Sequence, residues 1–329
     1  METGLTETMI FDDIIKTLRR LFDVKVVDST PIKRGWLNLK WKITTDSGQQ
    51  FLLKQYNKER YKLYNAEELL FAFSQQIRLK DQGLACPKLL SHNGAVLFQS
   101  DNAEIFMAME YCQGQLVAPG KSNANQIYDL GRATGNMHRL LNDGTLGVKQ
   151  TPKFIPPSRE DRLAHWSLVL EKTKESGKAQ LLADIEAQRR ATEAMNIENL
   201  ESLRLGWAHR DLWVDNLLFE ENRLTAILDF DRLGYDYPQL DVARAVISCA
   251  LDDDLDVSLA GAFLEGYREE CSVKEGFLTN SLRWLWYMES TWWITADMDQ
   301  HSVPPARFAK EMNWLAENYK HIPSMLGNI

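Results

Sequence analysis

The chain has 329 residues, 44% of them hydrophobic, 26% charged and 10% aromatic; this globular composition excludes disorder as a description of the whole, and the length predicts two lobes sharing a cleft. With 46 acidic against 38 basic residues the formal net charge is −8, which gives no global attraction to nucleic acid or anionic lipid. Cys86, Cys112, Cys249 and Cys271 form no C-x-x-C pair, so neither a zinc site nor a dense disulfide framework is expected. Met1 to Asp13 carries Glu2, Glu7, Asp12 and Asp13 and lacks the basic flank and apolar stretch of a signal peptide. No apolar run is long enough to span a bilayer, and the expectation is a soluble, cytoplasmic protein with no membrane or nucleic-acid partner.

In chain order, Phe11, Ile14, Ile15, Leu18, Leu21 and Phe22 recur at the helical period and predict a packing helix. Strand character follows at Lys25–Val27, Asn38–Thr45 and Gln50–Lys54, with Asp46-Ser-Gly48 as a hairpin turn. A helix is expected from Ala66 to Asp81, closed by Gly83 and Pro87, then strands at Ala95–Gln99 and Ile105–Glu110. Beyond Gly114 the texture is helical, with helices at Asn125–Leu141, Asp161–Lys172 and Lys178–Met195. Strand character returns at Asn216–Phe219 and Leu224–Leu228, and helices resume from Leu240 to Tyr319. Thr151–Ser158, with three prolines, reads as a loop.

The chemistry concentrates in His209-Arg-Asp-Leu-Trp-Val-Asp-Asn216, followed by a hairpin and Ile227-Leu-Asp-Phe-Asp231. Phosphoryl transfer from ATP needs one carboxylate at the acceptor hydroxyl, and an Asn and a further Asp holding Mg²⁺ on the phosphates. Asp211 and Asn216 stand at the first two places of the H-R-D-x-x-x-x-N pattern, and Asp229 supplies the third group, a hard oxygen ligand at a strand end. Lys54 ends the apolar strand Phe51–Leu53 and is the candidate for the phosphates, with Glu68, or Glu67 beside it, as its partner. G-x-G-x-x-G is missing; Arg34-Gly35-Trp-Leu-Asn38 stands where a phosphate-covering loop would be. Met107–Gly114 joins the two halves, and by position the Glu110 carbonyl and Cys112 amide are candidates for adenine.

These residues resemble the aminoglycoside phosphotransferase, choline kinase and homoserine kinase group of protein-kinase-like small-molecule kinases over roughly Val24 to Tyr267. Leu130–His138 and Tyr235–Ala243 also look like this group. The resemblance implies an α+β, bilobal protein-kinase-like fold: an antiparallel-sheet N-lobe with one main helix, and a larger helical C-lobe. Residues 1–23 would form a helix packing on the N-lobe, 24–109 the N-lobe, 110–114 the hinge and 115–329 the C-lobe. It further implies ATP- and Mg²⁺-dependent transfer to a small-molecule hydroxyl, with Asp211 as base, His209 and Arg210 in support, Asn216 and Asp229 as metal ligands, and structural roles for His138 and Asp241. Arg210 stands where many small-molecule kinases carry Gly, and Phe230-Asp231 replaces the Phe-Gly of protein kinases.

The segment from Asp229 to Asp241 contains no Ser or Thr and no Ala-Pro-Glu, which disfavours a protein substrate. A non-catalytic scaffold would have no need of Lys54, Asp211, Asn216 and Asp229 together. For the acceptor, Glu289, Trp292, Trp293 and Asp297 follow one another among aromatic residues, and Asp252–Asp256 adds an acidic run. Aromatic faces beside carboxylates suit an amine or quaternary ammonium, so an aminoglycoside, choline or amino alcohol is expected before a neutral sugar.

Overall fold

The computed structural model describes residues 5–33, 38–175, 177–195, 203–327 and 329. The chain forms two compact units, Met1–Gly114 with Thr225–Asp231, and Gln115–Leu224 with Arg232–Ile329. Gly35 lies outside the described residues.

The first unit begins with α1 (Glu7–Phe22), whose amphipathic stripe buries Ile14, Ile15 and Leu18. Thr6 caps its first turn and Asp23, at φ +51°, ends it. An antiparallel sheet follows: β1 (Val26–Pro31), β2 (Lys40–Thr45), β3 (Gln50–Tyr56), β4 (Phe98–Gln99) and β5 (Ile105–Glu110), in the order β1-β2-β3-β5-β4. Between β3 and β4 lie the short α2 (Lys58–Tyr61) and the long α3 (Ala66–Asp81). Strand alternation divides the side chains. Trp41, Ile43, Leu53, Phe106 and Ala108 pack with α1, while Leu52, Tyr56, Met107 and Met109 pack with Leu69 and Phe73 of α3.

Two strands differ from expectation. The first extends four residues further, to Pro31, which an edge strand tolerates because a prolyl nitrogen has no ladder hydrogen to give. The expected Ala95–Gln99 strand shortens to Phe98–Gln99: Asn93 and Gly94 both have positive φ, and a tight turn pairs His92 with Ala95.

The second unit contains α4 (Ala124–Leu141), α5 (Arg159–Lys174), α6 (Ala179–Ala194), β6 (Gly206–Ala208) and β7 (Leu217–Glu220). Then β8 (Arg223–Ile227) carries the chain into the first unit, where Thr225 Oγ1 donates to the Gln113 carbonyl at 2.7 Å and the Ile227 amide to the Ala85 carbonyl at 2.8 Å. The chain returns through β9 (Gly234–Asp236), α7 (Pro238–Ala250), α8 (Val257–Glu270), α9 (Phe277–Trp293), α10 (Pro305–Glu317) and α11 (Ile322–Leu326).

Helices α4 and α8 meet backbone to backbone. A Cβ on Gly131 would lie 2.0 Å from the Phe263 carbonyl oxygen, and one on Gly266 would lie 2.0 Å from that of Tyr128. The acidic run serves the fold. Asp256 caps α8, Asp252 and Asp253 pair with Lys121 and Lys310, and Asp254 accepts the Trp314 indole hydrogen. No described helix is long and apolar enough to cross a membrane.

Candidate active site

In the first unit, the parity of β3 puts Lys54 on the face shared by Leu52 and Tyr56, and its register sets it opposite Met107 of β5. Lys54 is 3% exposed. Its ammonium donates to Asp229 Oδ1 at 2.7 Å and to Asp231 Oδ2 at 2.6 Å, and Tyr56 Oη donates to Asp231 Oδ1 at 3.1 Å. Burial opposes the ammonium charge, yet Asp229 and Asp231 hold Lys54 well above the ordinary lysine range. Burial raises the Asp231 carboxyl against the pull of Lys54. Two carboxylates thus share one ammonium. Asp229 itself adopts φ +62°, in the left-handed region.

The expected Lys54–Glu68 pair is replaced by these two aspartates. The inward face of α3 is Leu69, Ala72, Phe73 and Gln76, whereas Glu67 and Glu68 are exposed in its first turn, where Asn65 caps their amides and the helix dipole favours acids. At the end of β5 the Glu110 carboxylate pairs with Lys80 at 3.1 Å, and burial pushes the Cys112 thiol up to about 11.

In the second unit, β6 pairs antiparallel with β9, Gly206 against Asp236 and Ala208 against Gly234. The chain leaves β6 directly into His209, Arg210 and Asp211. One face of α7, at the helical spacing 241, 244, 248, serves this loop. Asp241 accepts the amides of His209 at 2.6 Å and Arg210 at 2.7 Å, and the Ser248 hydroxyl accepts the amide of Val214 at 3.1 Å. His138 of α4 donates or shares a proton with Asp241 at 3.1 Å and with the Tyr267 hydroxyl at 2.9 Å. Burial works to raise the Asp241 carboxyl, but His138, His209 and the Arg210 amide hold it below its ordinary value.

Within the loop, the Asp211 amide donates to His209 Nδ1 at 3.2 Å. Asn216 Nδ2 donates to the Asp211 carbonyl at 2.8 Å and to its carboxylate at 3.2 Å. The amide nitrogen of Asn216 is thereby turned to Asp211, so its oxygen is directed elsewhere as a hard donor.

The four acceptor candidates separate. Trp293 donates to Glu289 at 3.3 Å, and its ring meets Phe308 at 4.6 Å; Trp213, two residues after Asp211, meets Phe308 from 5.1 Å. Trp292 turns instead to Phe154 at 4.9 Å, because successive helical residues point about 100° apart. Asp297 lies past the end of α9, is exposed, and accepts the Thr295 hydroxyl at 2.7 Å. Arg244 joins the Glu289 cluster: it pairs with Glu289 and with Glu311, the latter at 2.5 Å, while Arg307 pairs with Glu311 at 2.8 Å. Burial opposes its charge, but Glu289, Glu311 and the side-chain bond to Glu289 raise it above the ordinary arginine value, with Asp211 adding to the same field.

Sequence reasoning overlooked Asp231, Tyr56 and Arg244. The first carried a signal, since an Asp stood in place of the expected Gly; the third lay three residues after Asp241, on the same helical face.

A homoserine kinase of Zymomonas mobilis is 24% identical over 325 residues, covering 94% of this chain and 94% of its own. Among solved structures, an aminoglycoside phosphotransferase from Alicyclobacillus acidocaldarius matches with a TM-score of 0.68 at 12% identity, covering 99% of this chain and 96% of its own. An amicoumacin kinase in complex with AMP-PNP and Ca²⁺ matches with a TM-score of 0.61 at 16% identity, covering 95% and 96%. The fold is thus that of the protein-kinase-like phosphotransferases. The model of the phosphotransferase enzyme family matches residues 28–285, and the chain belongs to that family.

Proposed function

We propose that this phosphotransferase moves the γ-phosphoryl group of ATP to the hydroxyl of an amine-bearing small molecule, of the amino alcohol, choline or aminoglycoside type. The observation that carries the reading is the loop 209–216, in which Asn216 binds both the carbonyl and the carboxylate of Asp211. That arrangement holds a general base at a defined place for a hydroxyl proton. His209 supports it by accepting the Asp211 amide, and Arg210 through its own amide to Asp241.

Lys54 serves the phosphates, exchanging Asp229 and Asp231 for phosphate oxygens when the nucleotide enters. Glu110 and Cys112, at the end of β5, serve the adenine through their backbone groups. By their places in the sequence pattern, Asp229 and Asn216 are the ligands proposed for Mg²⁺; their oxygens are the hard donors this ion prefers. Bound there, the ion would neutralise charge developing on the transferred group.

For the acceptor, Glu289 is the residue that pairs with an ammonium, and the half-buried rings of Trp213, Trp293 and Phe308 supply apolar and cation–π contact. Trp292 and Asp297 turn away from this group, to Phe154 and to Thr295. Relatives named homoserine kinases are compatible with an amino-bearing acceptor of small size.

The test is ATP turnover against a panel of amine-bearing alcohols and neutral sugars. Turnover of amine-bearing acceptors is expected, with Glu289→Gln raising their KM by about tenfold, the equivalent of ~1.4 kcal/mol of lost pairing. Turnover of neutral sugars alone, with amines neither reacting nor competing, overturns the acceptor class. Absence of both nucleotide binding and turnover overturns the kinase reading itself.

A further inference from the structure

Among the described residues of the loop 209–216, Arg210 alone has a backbone in the left-handed region, at φ +67°, a conformation that glycine adopts freely and a branched-out side chain resists. A strained residue persists where its surroundings over-determine it. Arg210 is held four times over. Its amide donates to Asp241 Oδ1 at 2.7 Å, Nε to Asp236 Oδ2 at 2.8 Å, and Nη1 to the Arg232 carbonyl at 3.0 Å; its guanidinium lies 4.5 Å from the centre of the Phe154 ring. Asp236 is fully buried.

We propose that Arg210 is a positioning residue for Asp211. The clamp formed by Asp236, the Arg232 carbonyl and Phe154 fixes the peptide that joins Arg210 to Asp211, and so fixes the carboxylate against Asn216. The inference rests on the reading of Asp211 as the base. It also carries a consequence for regulation. Where other kinases order a segment by placing a phosphate opposite an arginine, here the anion is a carboxylate already in the chain, at the far end of β9, two residues from Gly234. The loop is set without modification.

The test uses Arg210→Gly, which removes the clamp while the backbone angle becomes permissible, together with Arg210→Lys and Asp236→Asn. Arg210→Gly is expected to lower kcat at least tenfold, with KM for both substrates within twofold, in assays run well below its thermal midpoint, which falls because the buried Asp236 loses its partner. Guanidinium ion at tens of millimolar should restore part of this turnover, and potassium chloride at equal ionic strength should not. Arg210→Lys should fall between the two. Asp236→Asn should lower kcat as well, and the double variant with Arg210→Gly should be no worse than the poorer single one. Wild-type kcat in Arg210→Gly, or a loss that follows the fraction unfolded, overturns the proposal; so do multiplying effects in the double variant. Asp211→Asn, run in parallel, separates the two readings: wild-type turnover there removes the base, whereas an inactive Asp211→Asn beside an active Arg210→Gly removes only the positioning role.

Discussion

The two groups of residues proposed for catalysis, one in each unit, are held by different forces. In the first unit, Lys54, Asp229 and Asp231 are bound by charge, with one buried ammonium shared between the buried carboxylate of Asp231 and the partly exposed one of Asp229. In the second, Asp211 sits in a loop whose amides at 209, 210, 211, 213, 214 and 216 all donate to acceptors within the same unit. Hydrogen bonds to backbone fix a direction, which a general base needs; ion pairs can be exchanged for a phosphate or a cation, which a nucleotide site needs.

Removing one member from each half should therefore give different losses. Asp229→Ala takes away a proposed metal ligand and half of the Lys54 pairing, and turnover should fall by about 10³-fold or more, with magnesium-dependent nucleotide binding lost in calorimetry. Unchanged binding and turnover would take Asp229 out of the metal site. Asp211→Asn keeps the loop's backbone bonds and removes the proposed proton acceptor, so kcat should fall by about 10²–10⁴-fold while nucleotide affinity stays put. A parallel loss of nucleotide affinity would show that the two halves are not separable in this way.

A third change sharpens the contrast by leaving both halves untouched. Gly131→Ala drives a methyl group into the Phe263 carbonyl where α4 meets α8, and should destabilise the fold by about 3 kcal/mol. Thermal melting reads this directly. A midpoint equal to the wild type would mean that the helices part without cost.

The smallest effect concerns acid. Asp241 has a folded-state pKa below its ordinary value of 3.8, so it contributes stability that is present above that value and is lost as pH falls through the lower, folded value. Asp236 is shifted the other way: burial outweighs Arg210 and raises it, so its contribution is present below 3.8 and is lost as pH rises through the raised value. Urea unfolding between neutral pH and strong acid should show a shallower acid loss in Asp241→Asn than in the wild type. An unchanged slope would place the acid sensitivity elsewhere.

Much of this protein was legible in its residues taken in order. The amphipathic stripe of α1, the alternation of β3 and the spacing of Asp211, Asn216 and Asp229 are local patterns, and local patterns are set by helical and strand periods. The family follows from them. Tertiary structure alone decided which charges meet. Lys54 turned to Asp229 and Asp231, at 175 and 177 positions' distance, rather than to Glu68, because the buried face of α3 is apolar and its acids stand in the first turn. Likewise Glu289 found Arg244 and Trp293 while Asp297, eight residues on, stayed in solvent. Periodicity states which way a side chain points on its own element; which buried charge awaits it there depends on how distant segments pack, and a buried ion is stable only where that packing supplies its partner.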